Sequence, residues 1–309
     1  MRVIPVDCNY VEPEFACSYL LVREEAGVKR GFFVECNTNY AIPYLIKAVE
    51  KEGLAPDQVD GLIITHVHLD HAGGTGLFLK EFPIAKVYAH PRAAKHVIDP
   101  SKLVASATQV YGEAFMQKMY GTILPADPSR VVVLEDGATI RWQGMKFETK
   151  HTRGHANHHL CVIAEDTVFT GDSFGVSYPE VRNKRGLVIL VSTSPTDFDG
   201  AAALASIDWI VSLKKRVALT HFGFIEVSEV PVAAEMLRDQ IVFSMEMLKR
   251  IQKDHLNEKQ VTDQIQSWTI DYFSKRNIML DAEDLMTLQL DMKVNAQGLV
   301  FAANRKPTP

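Results

Sequence analysis

Thr65-His66-Val67-His68-Leu69-Asp70-His71-Ala72-Gly73-Gly74 places three histidines and an aspartate within six positions, directly after the apolar run 61–65 (GLIIT). A continuous apolar run of that length, bounded by the polar residues Asp60 and His66, reads as a fully buried strand. The cluster therefore begins where a strand ends. Imidazole and carboxylate are the donors that suit zinc, iron(II) and manganese(II). The two glycines let the chain turn tightly enough for the rings to converge. A solvated loop has no physical reason to concentrate such groups, so the segment reads as metal-binding.

Working outward, three more short apolar runs share this design. Residues 145–149 lead into a loop holding His151, His155, His158 and His159; 167–170 (TVFT) lead into Gly171-Asp172; 216–220 (RVALT) lead into His221. Four strands that each deliver polar groups at a C-terminal end predict a site on one edge of a β core. Upstream, 18–22 and 31–35 read as a hairpin across the polar stretch 23–30, and 44–52 has helical spacing that stops near Gly53. A strand is expected over 84–89. The segment 93–125 is helix-biased and reads as an insertion near the site. Beyond Pro231, apolar positions recur with helical period over 232–256, and 258–275 and 281–294 read as two more helices. The expected division is a catalytic domain over 1–228 and a helical appendage over 229–309.

Composition narrows the classes of function. With 309 residues, 47% hydrophobic and 23% charged, the chain is ordinary for a globular protein and can bury a sizeable core. A net charge of −5 gives no electrostatic footprint for nucleic acid, so no nucleic-acid partner is expected. Cys8, Cys17, Cys36 and Cys161 form no CxxC pair and no disulfide framework, which fits reduced thiols and a cytoplasmic setting. The first residues (MRVIPVDCNYVEP) do not have the form of a signal peptide, and no apolar stretch is long enough to suggest a membrane span.

THVHLDHAGG resembles the T-H-x-H-x-D-H-x-G-G signature of the metallo-β-lactamase superfamily. The resemblance continues in order through Thr152-Arg153-Gly154-His155 with His159, Phe169-Thr170-Gly171-Asp172, and Leu219-Thr220-His221-Phe222-Gly223. Arg153 stands where the family usually has proline, a departure that touches no ligand. The resemblance implies an α/β fold, the αβ/βα four-layer sandwich, here with added helices. It implies that His66, His68 and His155 bind one metal ion, that Asp70, His71 and His221 bind a second, and that Asp172 bridges them. Two divalent ions are then the cofactors, zinc first, with iron or manganese as alternatives. Asp70 would also orient a metal-bound hydroxide. With all seven positions filled, the resemblance points to a glyoxalase II-like dinuclear branch that cleaves an ester, thioester or lactone of a small molecule.

The remaining expectations are finer. His159 is expected to orient a metal histidine rather than to ligate. Tyr178, Arg182, Arg153 and His90 are candidates for contact with substrate, Tyr178 foremost because a phenol can donate to a developing oxyanion. The segment 173–191 is expected to pass over the metals, and the C-terminal helices could form a homodimer face. Phosphodiester or RNA hydrolysis, a persulfide dioxygenase-type mononuclear iron enzyme and a metal-containing ligand-binding regulator stand as alternatives. The first lacks a positive track, and the iron enzymes use fewer of these ligands.

Overall fold

A computed structural model describes residues 1–193 and 197–305; the last four residues of the expected 229–309 appendage lie outside the described residues. The chain divides into two compact units. The first comprises Met1–His151, His158–Gly171 and Thr220–Gly223; the second comprises Thr152–Asn157, Asp172–Leu219 and Phe224–Pro309.

The first unit opens with β1 (Arg2–Asp7), β2 (Cys17–Glu25), β3 (Val28–Val34), α1 (Ile42–Lys51), β4 (Val59–Ile63), α2 (Leu69–Ala72), α3 (Thr75–Glu81) and β5 (Lys86–Ala89). Then come α4 (Pro91–Ile98), α5 (Ser101–Tyr111), α6 (Glu113–Tyr120) and β6 (Val131–Val133). It closes with β7 (Thr139–Trp142), β8 (Met145–His151), β9 (Leu160–Ala164) and β10 (Thr167–Gly171). One sheet runs β1-β2-β3-β4-β5-β6 and is mixed: β1, β2 and β3 are antiparallel, while β3 to β6 are parallel. In the other sheet, β7 to β10 run antiparallel.

The expected hairpin is β2–β3, but its turn is only Ala26-Gly27, both at positive φ (51° and 79°). Such a two-residue turn matches strand twist, so the strands continue through the polar stretch that reads as a loop in sequence. Phe32 and Phe33 show how one strand serves two interfaces. Adjacent residues of a strand face opposite sides. Phe33 packs on Phe78 (5.5 Å between ring centroids) and Phe82 (5.8 Å) of the helical layer, while Phe32 meets Phe147 (5.0 Å) and Trp142 (5.5 Å) of the other sheet. Both rings are fully buried, each contributing about 1.5–3 kcal/mol of hydrophobic stabilisation. This packing fixes the ends of β3 and β4, from which the functional residues emerge.

The second unit contains α7 (Pro179–Arg185), α8 (Gly200–Ser212), β11 (Arg216–Leu219), β12 (Gly223–Ile225), α9 (Val230–Asp254), α10 (Glu258–Ser274) and α11 (Ala282–Asn304). The three long helices have start signals written in the sequence: Pro231 in the first turn of α9, the Asn257/Gln260 capping box of α10, and Asp281 with Asp284 at α11. Phe243 of α9 and Trp268 of α10 stack at 4.5 Å, and Met247, Val261, Phe273, Leu288, Met292 and Leu299 are buried around them. The last helix runs ten residues beyond the expected 281–294, because Ala296, Leu299 and Ala303 continue its buried face. Among the described residues, no helix is long and apolar enough to cross a membrane.

Candidate metal centre

β4 ends at Ile63, two residues earlier than the apolar run implies, and Thr65 begins the cluster. In the first unit, His66 Nδ1 bonds to Thr65 Oγ1 (3.0 Å), while His66 Nε2 faces His68 Nδ1 at 2.9 Å. Two ring nitrogens aimed at one point are the arrangement a cation would satisfy. Asp70 lies in the first turn of the short α2, which also presents His71. Asp70, His71 and His221 offer donor atoms that all lie within 4.8 Å of one another. Asp70 Oδ2 stands 3.5 Å from His221 Nε2 and 3.8 Å from His71 Nε2.

Each of these donors is held from behind. His221 Nδ1 donates to the Phe15 carbonyl (3.0 Å), and the Phe15 ring meets the imidazole edge-on. Thr220 is tied to β2 by the Cys17 N–H (2.8 Å). The turn at Asp70-His71 is gripped by the residues after β3: the Cys36 and Asn37 N–H groups donate to the His71 carbonyl, and Asn37 Nδ2 donates to the Asp70 carbonyl (2.7 Å). Glu35 lies 1% exposed, accepts the Thr65 N–H on Oε1 (3.1 Å), and places that oxygen 3.6 Å from His71 Nδ1. At that separation the contact is longer than a hydrogen bond and acts through the carboxylate's charge. A carboxylate behind a metal-facing imidazole fixes its tautomer and raises its basicity. Gly74 is required because a Cβ there would stand 2.8 Å from the Thr38 carbonyl oxygen.

His159 is fully buried, its ring 4.9 Å from that of His66. A Cβ on Gly171 would meet His159 Nε2 at 2.6 Å and Thr65 Oγ1 at 2.4 Å. Only glycine allows the end of β10 this close to the histidine cluster. His158 is half-buried beside His66 and His68, with ring centroids 6.1 and 5.5 Å away, and its Nδ1 accepts the Val67 N–H (3.4 Å).

The second unit carries the other two donors. His155 Nδ1 donates to the Ser192 carbonyl (3.1 Å), which leaves Nε2 as the lone-pair nitrogen, 3.5 Å from Asp172 Oδ2. Ser192 Oγ donates to the same Asp172 oxygen (3.3 Å). Both side chains are at least nine-tenths buried. In an apolar interior, a carboxylate and a neutral imidazole that converge in this way suit a bound cation.

The sequence matches the metallo-beta-lactamase superfamily over residues 34–221. The chain belongs to that superfamily. Similar proteins include the metallo-beta-lactamase fold-containing protein ST1585 of Sulfurisphaera tokodaii, 30% identical over 174 residues, which are 55% of this chain and 62% of that one. Another is the hydroxyacylglutathione hydrolase of Aeromonas salmonicida, 29% identical over 116 residues, 38% of this chain and 34% of that one. The chain thus spans less than two thirds of the length of these relatives. The crystal structure of ST1585, from Sulfolobus tokodaii, superposes with a TM-score of 0.66 at 22% identity, covering 96% of this chain and 97% of that one. A metallo-beta-lactamase family protein of Thermus thermophilus, TTHA1429, gives 0.59 at 22% identity over 80% and 81%. The metallo-β-lactamase fold expected from the sequence is the fold of this chain, with extra C-terminal helices.

Within this metallo-β-lactamase chain, the residues read as substrate contacts are placed as follows. Tyr178 is buried, and its hydroxyl donates to Asp291 Oδ1 in α11 (3.1 Å). Arg182 donates to the Phe224 carbonyl (2.7 Å) and pairs with Glu229 (2.6 Å). Its neighbours Lys184 and Arg185 pair with Glu283 and Asp284 at the start of α11, the end of a helix that favours anions rather than cations. Asp284 also closes the capping box of that helix, accepting the Asp281 N–H (2.9 Å). Arg153 is exposed, and its carbonyl accepts from Ser206 Oγ (2.7 Å). His90 caps α4 by accepting the Arg92 N–H on Nδ1 (3.0 Å), and its ring lies 4.1 Å from that of His151. Sequence reasoning did not single out Glu35, Asn37, Phe15 or Ser192. Only Glu35 left a signal: an acid ending the otherwise apolar run 31–35.

Proposed function

We propose that this protein is a dinuclear metal-dependent hydrolase acting on an ester, thioester or lactone of a small molecule. The observation that carries the reading is the convergence of Asp70, His71 and His221, the first two held from behind by residues 35–37 after β3 and the third by the Phe15 carbonyl. In this reading His66, His68 and His155 serve one ion, Asp70, His71 and His221 serve a second, and Asp172 is shared. Divalent ions so bound, zinc foremost, would supply a water acidified toward neutral pH and a Lewis-acid contact for the scissile carbonyl.

The chain's own groups divide the work in this scheme. Asp70 is the partly exposed carboxylate of the set, at 25% exposure, and is suited to hold and orient a proton of the attacking water. Glu35 keeps His71 in one tautomer, and Ser192 does the same for His155. The name carried by the Aeromonas relative supports an acyl substrate bearing a thioester, as do the full donor set and the chain's acidic balance. A small-molecule substrate, rather than a polyanion, follows from the same balance.

The test is turnover of a panel of thioesters, lactones and phosphodiesters by metal-loaded protein, against His66→Ala as control. Hydrolysis of an acyl substrate that His66→Ala abolishes is the expected result. Activity confined to phosphodiesters, or none above the control, would overturn the reading.

A further inference from the structure

Ser192 sits in a strap, residues 189–193, that follows the course of no helix; yet it contacts both candidate donors of the second unit. Its carbonyl accepts from His155 Nδ1 and its hydroxyl donates to Asp172 Oδ2. A loop residue can orient two side chains only if its own backbone is fixed. The residues on either side of Ser192 are fixed by two buried amides from the C-terminal helices. Gln240 of α9 accepts the Val191 N–H on Oε1 (3.0 Å) and donates from Nε2 to the Ile189 carbonyl (2.9 Å) and the Met236 carbonyl (3.0 Å). Asn295 of α11 accepts the Thr193 N–H (2.7 Å) and the Thr193 hydroxyl (3.0 Å) on Oδ1, and donates from Nδ2 to the Val191 carbonyl (2.7 Å).

Gln240 is 5% and Asn295 is 6% exposed. A primary amide buried in a helical core is costly unless its hydrogen-bonding groups are satisfied. Here the partners on the oxygen and nitrogen of each amide include backbone groups of the strap. Leucine or alanine would pack more simply among these helices. The amides at these positions therefore serve geometry. They bond to alternating N–H and C=O groups of the strap from both sides, as a neighbouring strand would.

We propose that Gln240 and Asn295 are positioning residues for the metal centre, acting through Ser192 on His155 and Asp172. The C-terminal helices are then part of the ligand scaffold. This rests on the reading of His155 and Asp172 as metal ligands.

The test measures metal affinity and stoichiometry of the full chain by competition with a chromophoric chelator, together with the visible absorption of the cobalt(II)-loaded protein. Gln240→Ala and Asn295→Ala should weaken binding of an ion by up to about 10-fold, the lower end of the range for losing the direct outer partner of a metal ligand, since they act one residue further out, and should alter the cobalt bands. Tyr272→Phe and Phe273→Leu, which alter α10 without touching the strap, serve as controls for loss of stability alone. Thr193→Val removes only the hydroxyl contact and is the fallback if Asn295→Ala does not fold; it should weaken binding several-fold. Wild-type affinity and cobalt spectrum in the Gln240 and Asn295 variants would overturn the proposal, as would equal weakening in the controls. His155→Ala separates the two levels. If it binds metal like the wild type, the ligand reading itself fails. If it loses metal while Gln240→Ala and Asn295→Ala do not, only the positioning role fails.

Discussion

Replacing Glu35 by glutamine separates a metal-orienting role from a packing role by the sign of two measurements. The side chain is 1% exposed; its Oε1 serves the Thr65 N–H and His71, while Oε2 has no hydrogen-bond partner among the described residues. Glutamine keeps the volume and can keep the Thr65 contact, but it removes the negative charge beside His71. Loss of an outer carboxylate costs roughly 10–100-fold in metal affinity, which is about 1.4–2.7 kcal/mol at 1.4 kcal/mol per tenfold. In the metal-free protein the change has the opposite sign. A buried carboxylate with an incompletely bonded oxygen is itself a burden, so glutamine should leave the metal-free protein equally stable or more stable. Chelator competition gives the first quantity and urea unfolding in excess chelator gives the second. A packing defect would lower both. Wild-type metal affinity in Glu35→Gln, while His71→Ala loses an ion, would refute the reasoning.

Three other outcomes follow from the same structure. Chelation should lower Tm by roughly 5–10 °C, since free metal at a hundred times Kd stabilises by about 2.7 kcal/mol and a chain of this size shifts by a few degrees per kcal/mol; an unchanged Tm on metal removal, followed by calorimetry, would contradict a bound ion. Gly171→Ala should cost about 1–3 kcal/mol from overpacking against Thr65 and His159, read by urea denaturation. Burial pushes the Cys17 and Cys36 thiols up to about 12 and Cys8 higher still. Burial thus keeps these thiols protonated at pH 8, where an ordinary thiol is partly ionised. Cys161 is buried as well. A disulfide reagent at pH 8 should therefore label the native protein slowly and all four thiols after unfolding; rapid native labelling would show an opening of the core.

How much of this was written in the sequence depends on whether the cause was local. The 65–74 run, the strand ahead of it and the Gly171-Asp172 strand end were legible because ligand density and apolar runs are properties of neighbouring residues. The three C-terminal helices were legible as the stretches 232–256, 258–275 and 281–294, because helical apolar spacing is set by near neighbours. Helix α8 was not, since its Ala-rich stretch (AAALASI) gives almost no amphipathic contrast. Glu35 could be seen as an acid but not as a partner, because the pairing of β3 with β4 brings it to Thr65 across thirty residues. Phe15 acts on His221 partly through a backbone carbonyl, which residue type never reveals. Gln240 and Asn295 resemble ordinary polar positions on long helices until their burial is known. Tyr178 drew attention as a phenol near Asp172, whereas its contact with Asp291 depends on where α11 lies.

Leu69 has a consequence beyond packing. It lies in sequence between the candidate donors His68 and Asp70, and packs in a small cluster with Met116 and Tyr120 of α6. The peg on which α6 rests is thus threaded into the candidate donor run itself. Exchanging the 93–125 segment for a longer or shorter one, as laboratory grafting would attempt, would tug on the spacing of His68 and Asp70 unless the replacement supplies an apolar socket for Leu69. A transplanted insertion should be tolerated when it carries equivalents of Met116 and Tyr120, and should unsettle the metal donors when it does not.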